Sequence, residues 1–169
     1  DRSVSRGLGD VYKRQPEYTV KIMGDDTTDE AKRLKKYVEN HKMKNVEFLG
    51  FKSGAELENV IKGARFTLIP SIWYDNLPNT ALESFQYSKP VIASNIGSLP
   101  ELVIDGENGY LFKPSNVEDL IKKIKMLDDD TLVKKMGQAS RKRLESRFAP
   151  QTHYEDLMKI FNEAVKSRK

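Results

Sequence analysis

Two carboxylates eight positions apart, Asp75 and Glu83, flank a proline in the stretch Ile69-Pro70-Ser71-Ile72-Trp73-Tyr74-Asp75-Asn76-Leu77-Pro78-Asn79-Thr80-Ala81-Leu82-Glu83-Ser84-Phe85. Its apolar start reads as a buried strand and its later part as a helix over residues 78–87, with Pro78 near the first helical position. The first N–H groups of a helix have no partner inside it. Those of Asn79 and Thr80, with Leu77 beside them, therefore face outward with the positive end of the helix dipole behind them. Such a helix start is an anion site suited to a diphosphate. A carboxylate one or two turns into a buried helix is costly unless its oxygens find donors. A ribose diol offers two hydroxyl donors to one carboxylate, which would account for Glu83. The plain alternative stays open at this point: many helices begin with an acidic residue and a proline, and Glu83 could pair with a lysine such as Lys89.

The elements that must position this stretch alternate in type. Residues 18–23 are a β-favouring run that ends at the turn cluster Gly24-Asp25-Asp26. Thr27 or Thr28 caps a helix in which Ala31, Leu34, Tyr37 and Val38 recur at helical spacing. Residues 46–49 form a second strand ended by Gly50, and Ser53 caps a short helix carrying Leu57, Val60 and Ile61. Strands follow at 66–69, 91–93 and 110–112, with one helical turn at 100–104. Residues 117–127, 131–148 and 151–168 read as amphipathic helices, with Asn116 and Asp130 as caps and Pro150 at a first helical position.

Strands that alternate with helices and are apolar on both faces predict the α/β class. The expectation is a Rossmann-like, doubly wound parallel sheet with helices on both sides and extra C-terminal helices. In such sheets ligands bind beyond the carboxyl ends of the strands. That rule selects residues 24–28, 50–53, 70–78 and 94–100. Asp25 and Asp26 could instead mark a response-regulator-like signalling domain, but that reading explains none of the later blocks. A turn and helix cap is the better account of the pair.

Several function classes are excluded by what the chain lacks. At 169 residues, with 38% hydrophobic and 32% charged residues, it is one soluble globular domain in size and composition. No apolar run approaches the roughly 18–20 residues that a membrane-spanning helix needs. There is no cysteine, so disulfide and thiolate chemistry are absent and a cytoplasmic location is the default. His41 and His153 have no ligand-like neighbours, so no metal site is expected. The dinucleotide and P-loop glycine signatures and the nucleophile elbow are missing as well. Of the net charge of +4, half comes from residues 1–15. No basic block is interleaved with aromatics, so nucleic acid is not an expected partner. Residues 1–15 pattern with nothing that follows and read as a disordered or adaptor-like tail, leaving 16–169 as a single domain.

The long stretch resembles the Glu-x7-Glu motif of the GT-B glycosyltransferases of family 4, in their C-terminal, donor-binding domain. The resemblance continues through Asn45-Val46-Glu47-Phe48-Leu49-Gly50, Lys89-Pro90-Val91-Ile92-Ala93-Ser94, Gly97-Ser98-Leu99-Pro100-Glu101 and Asp105-Gly106-Glu107-Asn108-Gly109-Tyr110-Leu111. It implies the C-terminal half of a GT-B fold that recognises a UDP-sugar or GDP-sugar and needs no bound metal or other cofactor. By the same resemblance, Glu83 holds the ribose hydroxyls and Asp75 takes the place of the first acid, against donor sugar and phosphates. Asn76, Leu77, Pro78, Asn79 and Thr80 lie along the sugar and diphosphate, with Ser71 at the start of the loop. Gly50, Phe51 and Lys52 fall where the family packs the nucleobase. Glu101 either contacts ligand or braces its loop.

Three departures from the family pattern stand out. The first acid is Asp75 rather than Glu, which shortens its reach by about 1.5 Å. The usual paired glycines are Gly97-Ser98, and the usual glycine before Lys-Pro is Ser88. The Arg and Lys that the family uses to neutralise the diphosphate have no counterpart, and the N-terminal acceptor-binding domain is missing. The expected function is therefore donor recognition for a retaining transfer to a glycan or lipid-linked acceptor, incomplete without the N-terminal domain. The alternative is a non-catalytic nucleotide-sugar-binding or interaction module of the same fold. Lys122, Lys123, Lys125, Lys134, Lys135, Arg141, Lys142 and Arg143 could also meet anionic lipid at the inner face of a membrane. Interspersed acids favour an ordinary solvated face.

Overall fold

The computed structural model describes residues 18–167, and the expected tail at 1–15 lies outside them. The elements run β1 (Val20–Met23), α1 (Asp29–Asn40), β2 (Val46–Gly50), α2 (Gly54–Gly63), β3 (Thr67–Ile69), α3 (Asn79–Gln86), β4 (Val91–Ser94), α4 (Leu99–Leu102), β5 (Gly109–Phe112), α5 (Val117–Met126), α6 (Asp130–Arg147) and α7 (Pro150–Lys166). Every strand pairing is parallel. The predicted βα alternation is therefore what forms.

The sequence predicts one continuous sheet, whereas the hydrogen-bonded ladders fall into two groups, β1-β2 and β3-β4-β5. The seam lies beside β3, which is three residues long and pairs with β4. Side chains bridge it. Tyr18, just before β1, meets Phe66, just before β3, edge-on with ring centroids 6.1 Å apart. Both rings pack on the same buried cluster.

That cluster and a second one lie on opposite faces of β4, whose four residues are all buried. Successive side chains of a strand point to opposite faces. Ile92 meets Leu120 and Ile124 of α5 and Met136 of α6. Val91 and Ala93 meet Ala81 and Phe85 of α3 and Leu99 and Leu102 of α4. Helices thus cover both faces of this sheet, the doubly wound arrangement. Only β4 shows the expected burial on both faces throughout. On β1 and β2, Lys21 sits opposite Glu47 in register and both are exposed, because charged side chains keep that end of the pair solvated.

Local chemistry explains the boundaries. Thr28 Oγ1 accepts the Ala31 N–H at 3.2 Å and starts α1, and Asn116 Oδ1 accepts the Asp119 N–H at 2.8 Å and starts α5. The cap of α6 is Asp129 and not the expected Asp130. Asp129 Oδ1 accepts the Thr131 N–H at 2.8 Å and the Leu132 N–H at 3.4 Å. Asp130 is already helical, so its carboxylate points elsewhere and pairs with Arg65. Helix α6 lies directly on the turn that follows α3. A Cβ on Gly137 would fall 2.0 Å from the Ser88 carbonyl oxygen, so no other residue fits there without displacing the helix. Pro150 opens α7, whose apolar residues Tyr154, Leu157, Ile160, Phe161 and Val165 remain exposed.

Candidate functional site

Parallel strands bring their carboxyl ends to one edge, so the loops after β1, β2, β3 and β4 emerge together there. Backbone hydrogen bonds tie these loops in pairs. Gly24 N–H donates to Gly50 O at 3.1 Å, joining the ends of β1 and β2. Ser98 N–H donates to Asp75 O at 3.2 Å, joining the loops after β3 and β4.

The loop after β3 leads into α3 as the sequence predicts, with Pro78 as the residue before the first helical position. Among the described residues no side chain caps this helix. Asn79 and Thr80 open it and are exposed, so their N–H groups are available to a ligand with the helix dipole behind them. Upstream, the Ser71 hydroxyl accepts the Trp73 N–H at 3.1 Å and donates to the Trp73 carbonyl at 3.2 Å. Ser71 thereby shapes its own loop. Trp73, Tyr74, Asp75, Asn76 and Leu77 are all exposed.

Glu83 lies on the second turn of α3 and is partly exposed. Among the described residues its carboxylate has no hydrogen-bond or ion-pair partner, and no bond to Lys89 forms. Lys89 is instead shifted by partial burial, which pushes its ammonium below the usual lysine range. The helix beneath Glu83 is held by hydroxyls. Thr67 Oγ1 on β3 donates to Ser84 Oγ at 2.8 Å, and Ser84 Oγ donates to the Thr80 carbonyl at 2.7 Å. Sequence reading missed this relay, because a threonine and a serine 17 positions apart carry no mark of their contact.

At the other pair of loops, Gly50 closes β2 with a φ of +66°. Phe51 follows, 75% exposed, and offers an apolar ring for stacking. Lys52 reaches Glu56 at 3.5 Å. Asp25 forms a turn by accepting the Thr27 N–H at 2.9 Å. Asp26 pairs with Lys35 at 2.6 Å, and this hydrogen-bonded ammonium holds its carboxyl below the usual aspartate range. Asp25 and Asp26 are thus turn and brace, and Thr28 is the cap.

Glu101 sits on α4 with its side chain exposed. Its N–H donates to Ser98 O at 2.9 Å, and its carbonyl accepts from the Arg143 guanidinium. The bracing role falls to its backbone and leaves its carboxylate unpaired among the described residues. The Asp105–Gly109 block is a structural lock. Buried Asn108 accepts the Ile104 N–H at 2.7 Å and donates to Leu102 O at 3.2 Å, while Asp105 accepts the Leu111 N–H at 2.8 Å. Among the described residues no group of three His, Asp or Glu side chains could hold a metal ion, and no helix is long and apolar enough to cross a membrane.

This parallel α/β domain is doubly wound, and its carboxyl edge gathers a helix start and a glutamate that have no side-chain partner among the described residues. Its fold is that of the C-terminal half of GT-B glycosyltransferases. The model of the glycosyl transferases group 1 family matches residues 8–143, and the chain belongs to that family. An uncharacterized glycosyltransferase of Methanocaldococcus jannaschii is 30% identical over 148 residues, covering 87% of this chain and 41% of the relative. The C-terminal domain of LpcC, a glycosyl transferase group 1 protein of Francisella tularensis, superposes with a TM-score of 0.73 at 24% identity, covering 88% of this chain and 78% of that one. HepE of Anabaena, solved with UDP-glucose, gives a TM-score of 0.79 at 20% identity, covering 96% of this chain and 45% of that one. The chain spans less than half the length of the curated relatives it matches.

Proposed function

We propose that this chain is the donor-binding half of a retaining glycosyltransferase that moves a sugar from a nucleoside diphosphate to a glycan or lipid-linked acceptor. The observation that carries the reading is Glu83, a carboxylate without a partner among the described residues, on a helix with an uncapped start. A nucleotide supplies what both lack: phosphate oxygens for the N–H groups of Asn79 and Thr80, and two ribose hydroxyls for the carboxylate. Phe51 offers a face for the base. Asp75 stands at the sugar end of the site.

In this reading, transfer proceeds with retained anomeric configuration. The barrier falls chiefly because donors aimed at the leaving diphosphate stabilise its developing charge. The α3 N–H groups contribute part of that field. The family's neutralising Arg and Lys have no counterpart in this chain, and the acceptor surface would come from the N-terminal half of a full-length enzyme. The chain by itself binds donor weakly and does not turn over. Exposed Lys122, Lys125, Lys134, Lys135 and Lys142 leave a peripheral contact with anionic lipid at the cytoplasmic face as part of the proposal.

Calorimetric titration of UDP-glucose and GDP-mannose into the chain and its Glu83→Ala variant tests the reading. A carboxylate that accepts two hydroxyl bonds is worth about 1.5–3 kcal/mol per charged contact, so affinity should fall about tenfold or more. Equal affinity in both proteins would remove the ribose assignment. The non-catalytic alternative is separated by joining the chain to an N-terminal GT-B half and testing Asp75→Ala. Lost transfer with retained nucleotide binding supports catalysis, and no transfer by the unaltered fusion favours the binding module.

A further inference from the structure

The loop that carries Asp75 is tied to the loop after β4 by a backbone hydrogen bond. Among the described residues, Ser98 N–H to Asp75 O, at 3.2 Å, is the only backbone hydrogen bond that leaves residues 71–77. Next to it, Gly97 has a φ of +59°, and a Cβ there would lie 3.0 Å from Asp75 N, 3.1 Å from Asp75 O and 3.4 Å from Tyr74 Cα. These distances are tighter than side chains ordinarily make with backbone, so the two loops are in contact because residue 97 has no side chain. The Ser98 hydroxyl is buried without a hydrogen-bond partner, so the backbone of Ser98 rather than its side chain makes the tie. Glu83 is secured separately, by the relay from Thr67 through Ser84 to Thr80.

We propose that Gly97 and the Ser98 N–H are positioning residues that set the height of Asp75 over the donor sugar. The Gly97-Ser98 turn then governs recognition of the sugar and leaves that of the nucleotide alone. The inference rests on the donor-site reading above and adds to it the residues that tune its sugar end. Asp75 has one methylene less than glutamate and cannot reach for a displaced partner. Its carboxylate therefore follows its backbone, and its backbone follows Gly97.

The test compares UDP with UDP-glucose, or GDP with GDP-mannose where the unaltered chain prefers guanosine, in calorimetric titrations of four proteins. These are the unaltered chain, Gly97→Ala, Gly97→Asn and Ser98→Ala, each checked for a cooperative thermal transition. Both Gly97 variants should lose about tenfold in affinity for the nucleotide-sugar, because a displaced Asp75 carboxylate loses its charged hydrogen bond to the sugar, while the bare nucleotide binds as before. Asparagine tolerates a positive φ but still carries a Cβ, so it separates contact from backbone strain. Ser98→Ala keeps its N–H and should bind both ligands normally. Parallel loss of nucleotide and nucleotide-sugar overturns the inference, as does recovery in Gly97→Asn or unchanged binding in Gly97→Ala. If the unaltered chain binds none of the four ligands, the donor-site reading falls and takes the inference with it.

Discussion

The hydroxyl of Thr67 on β3 donates to the hydroxyl of Ser84 on α3 at 2.8 Å. This bond crosses from the strand to the residue adjacent to Glu83, and Ser84 passes it on to the Thr80 carbonyl in the turn below. The strand thereby fixes the rotation of the helix. Ser84 faces inward and Glu83 is left partly exposed with its oxygens free of partners among the described residues. The proposed ribose site is thus built by a neighbour that never touches the ligand.

The first prediction uses that geometry. A 2′-deoxy nucleoside diphosphate should bind the unaltered chain more weakly than its ribose counterpart, by about 1.5–3 kcal/mol for one lost charged hydrogen bond. In Glu83→Ala the two ligands should bind alike. Titrating both ligands against both proteins closes a double-mutant cycle, and a coupling energy near zero would detach Glu83 from the ribose.

Asn108 provides a stability test. Its side chain accepts the Ile104 N–H and donates to Leu102 O, and Ser140 Oγ donates to its carbonyl at 2.9 Å. Asn108→Ala removes the two side-chain bonds and leaves the part-buried Ile104 N–H without its acceptor, while Leu102 O keeps the Arg143 Nε donor at 2.8 Å. It should cost about 2–3 kcal/mol in urea unfolding, with the m-value unchanged.

Ser88 should respond in the opposite direction. Its φ is +54°, and it follows Tyr87, the C-cap of α3, where the chain turns left-handed. Ser88 N–H donates to Phe85 O at 3.0 Å and Lys89 N–H to Ser84 O at 2.9 Å, the paired bonds of a Schellman motif. Glycine is the usual residue there because it has no Cβ. Ser88→Gly should stabilise the domain by about 1 kcal/mol, raising the melting temperature by about 2–4 °C. A lower melting temperature would refute this account of the turn.

A fourth prediction concerns acid stability. The Lys35 ammonium holds the Asp26 carboxyl below its ordinary range. A depressed folded-state value adds stability above the unfolded pKa, about 3.9, and that stability is lost as pH falls through the lower folded value. Asp26→Asn should therefore be less stable than the unaltered chain at pH 7. The difference between their urea midpoints should close below about pH 4. A gap that persists unchanged to pH 2.5 would assign the effect to something other than ionisation.

The long apolar and glycine-punctuated segments made the βα order legible in the sequence, because hydrophobic period and turn chemistry are local properties. Asp75, Glu83 and the helix start between them were legible for the same reason: all lie within one strand–loop–helix unit. The caps at Thr28 and Asn116 were legible and that of α6 to within one residue, while Ser53 holds the N-cap position of α2 without a side-chain bond. Asp129 displaced Asp130 because helix geometry, not residue type, decides which carboxylate reaches the free N–H groups. The glycine missing before Lys89 was visible as a departure, but only the positive φ at Ser88 shows what the departure costs.

Contacts between units were not legible. Nothing in the chain order announces that Gly97 touches Asp75, that Thr67 holds Ser84, or that Gly137 lies on Ser88. The division of the ladder between β1-β2 and β3-β4-β5 also depends on how the units dock. The sequence by itself determined the strand–loop–helix unit that carries Asp75, Glu83 and the helix start between them, since hydrophobic period and turn chemistry along one segment are local properties. Only the tertiary structure decided that Glu83 stays clear of Lys89 and that the Asp75 loop is tied by a neighbouring turn. Those outcomes depend on packing between segments distant in the chain, where local propensity has no say.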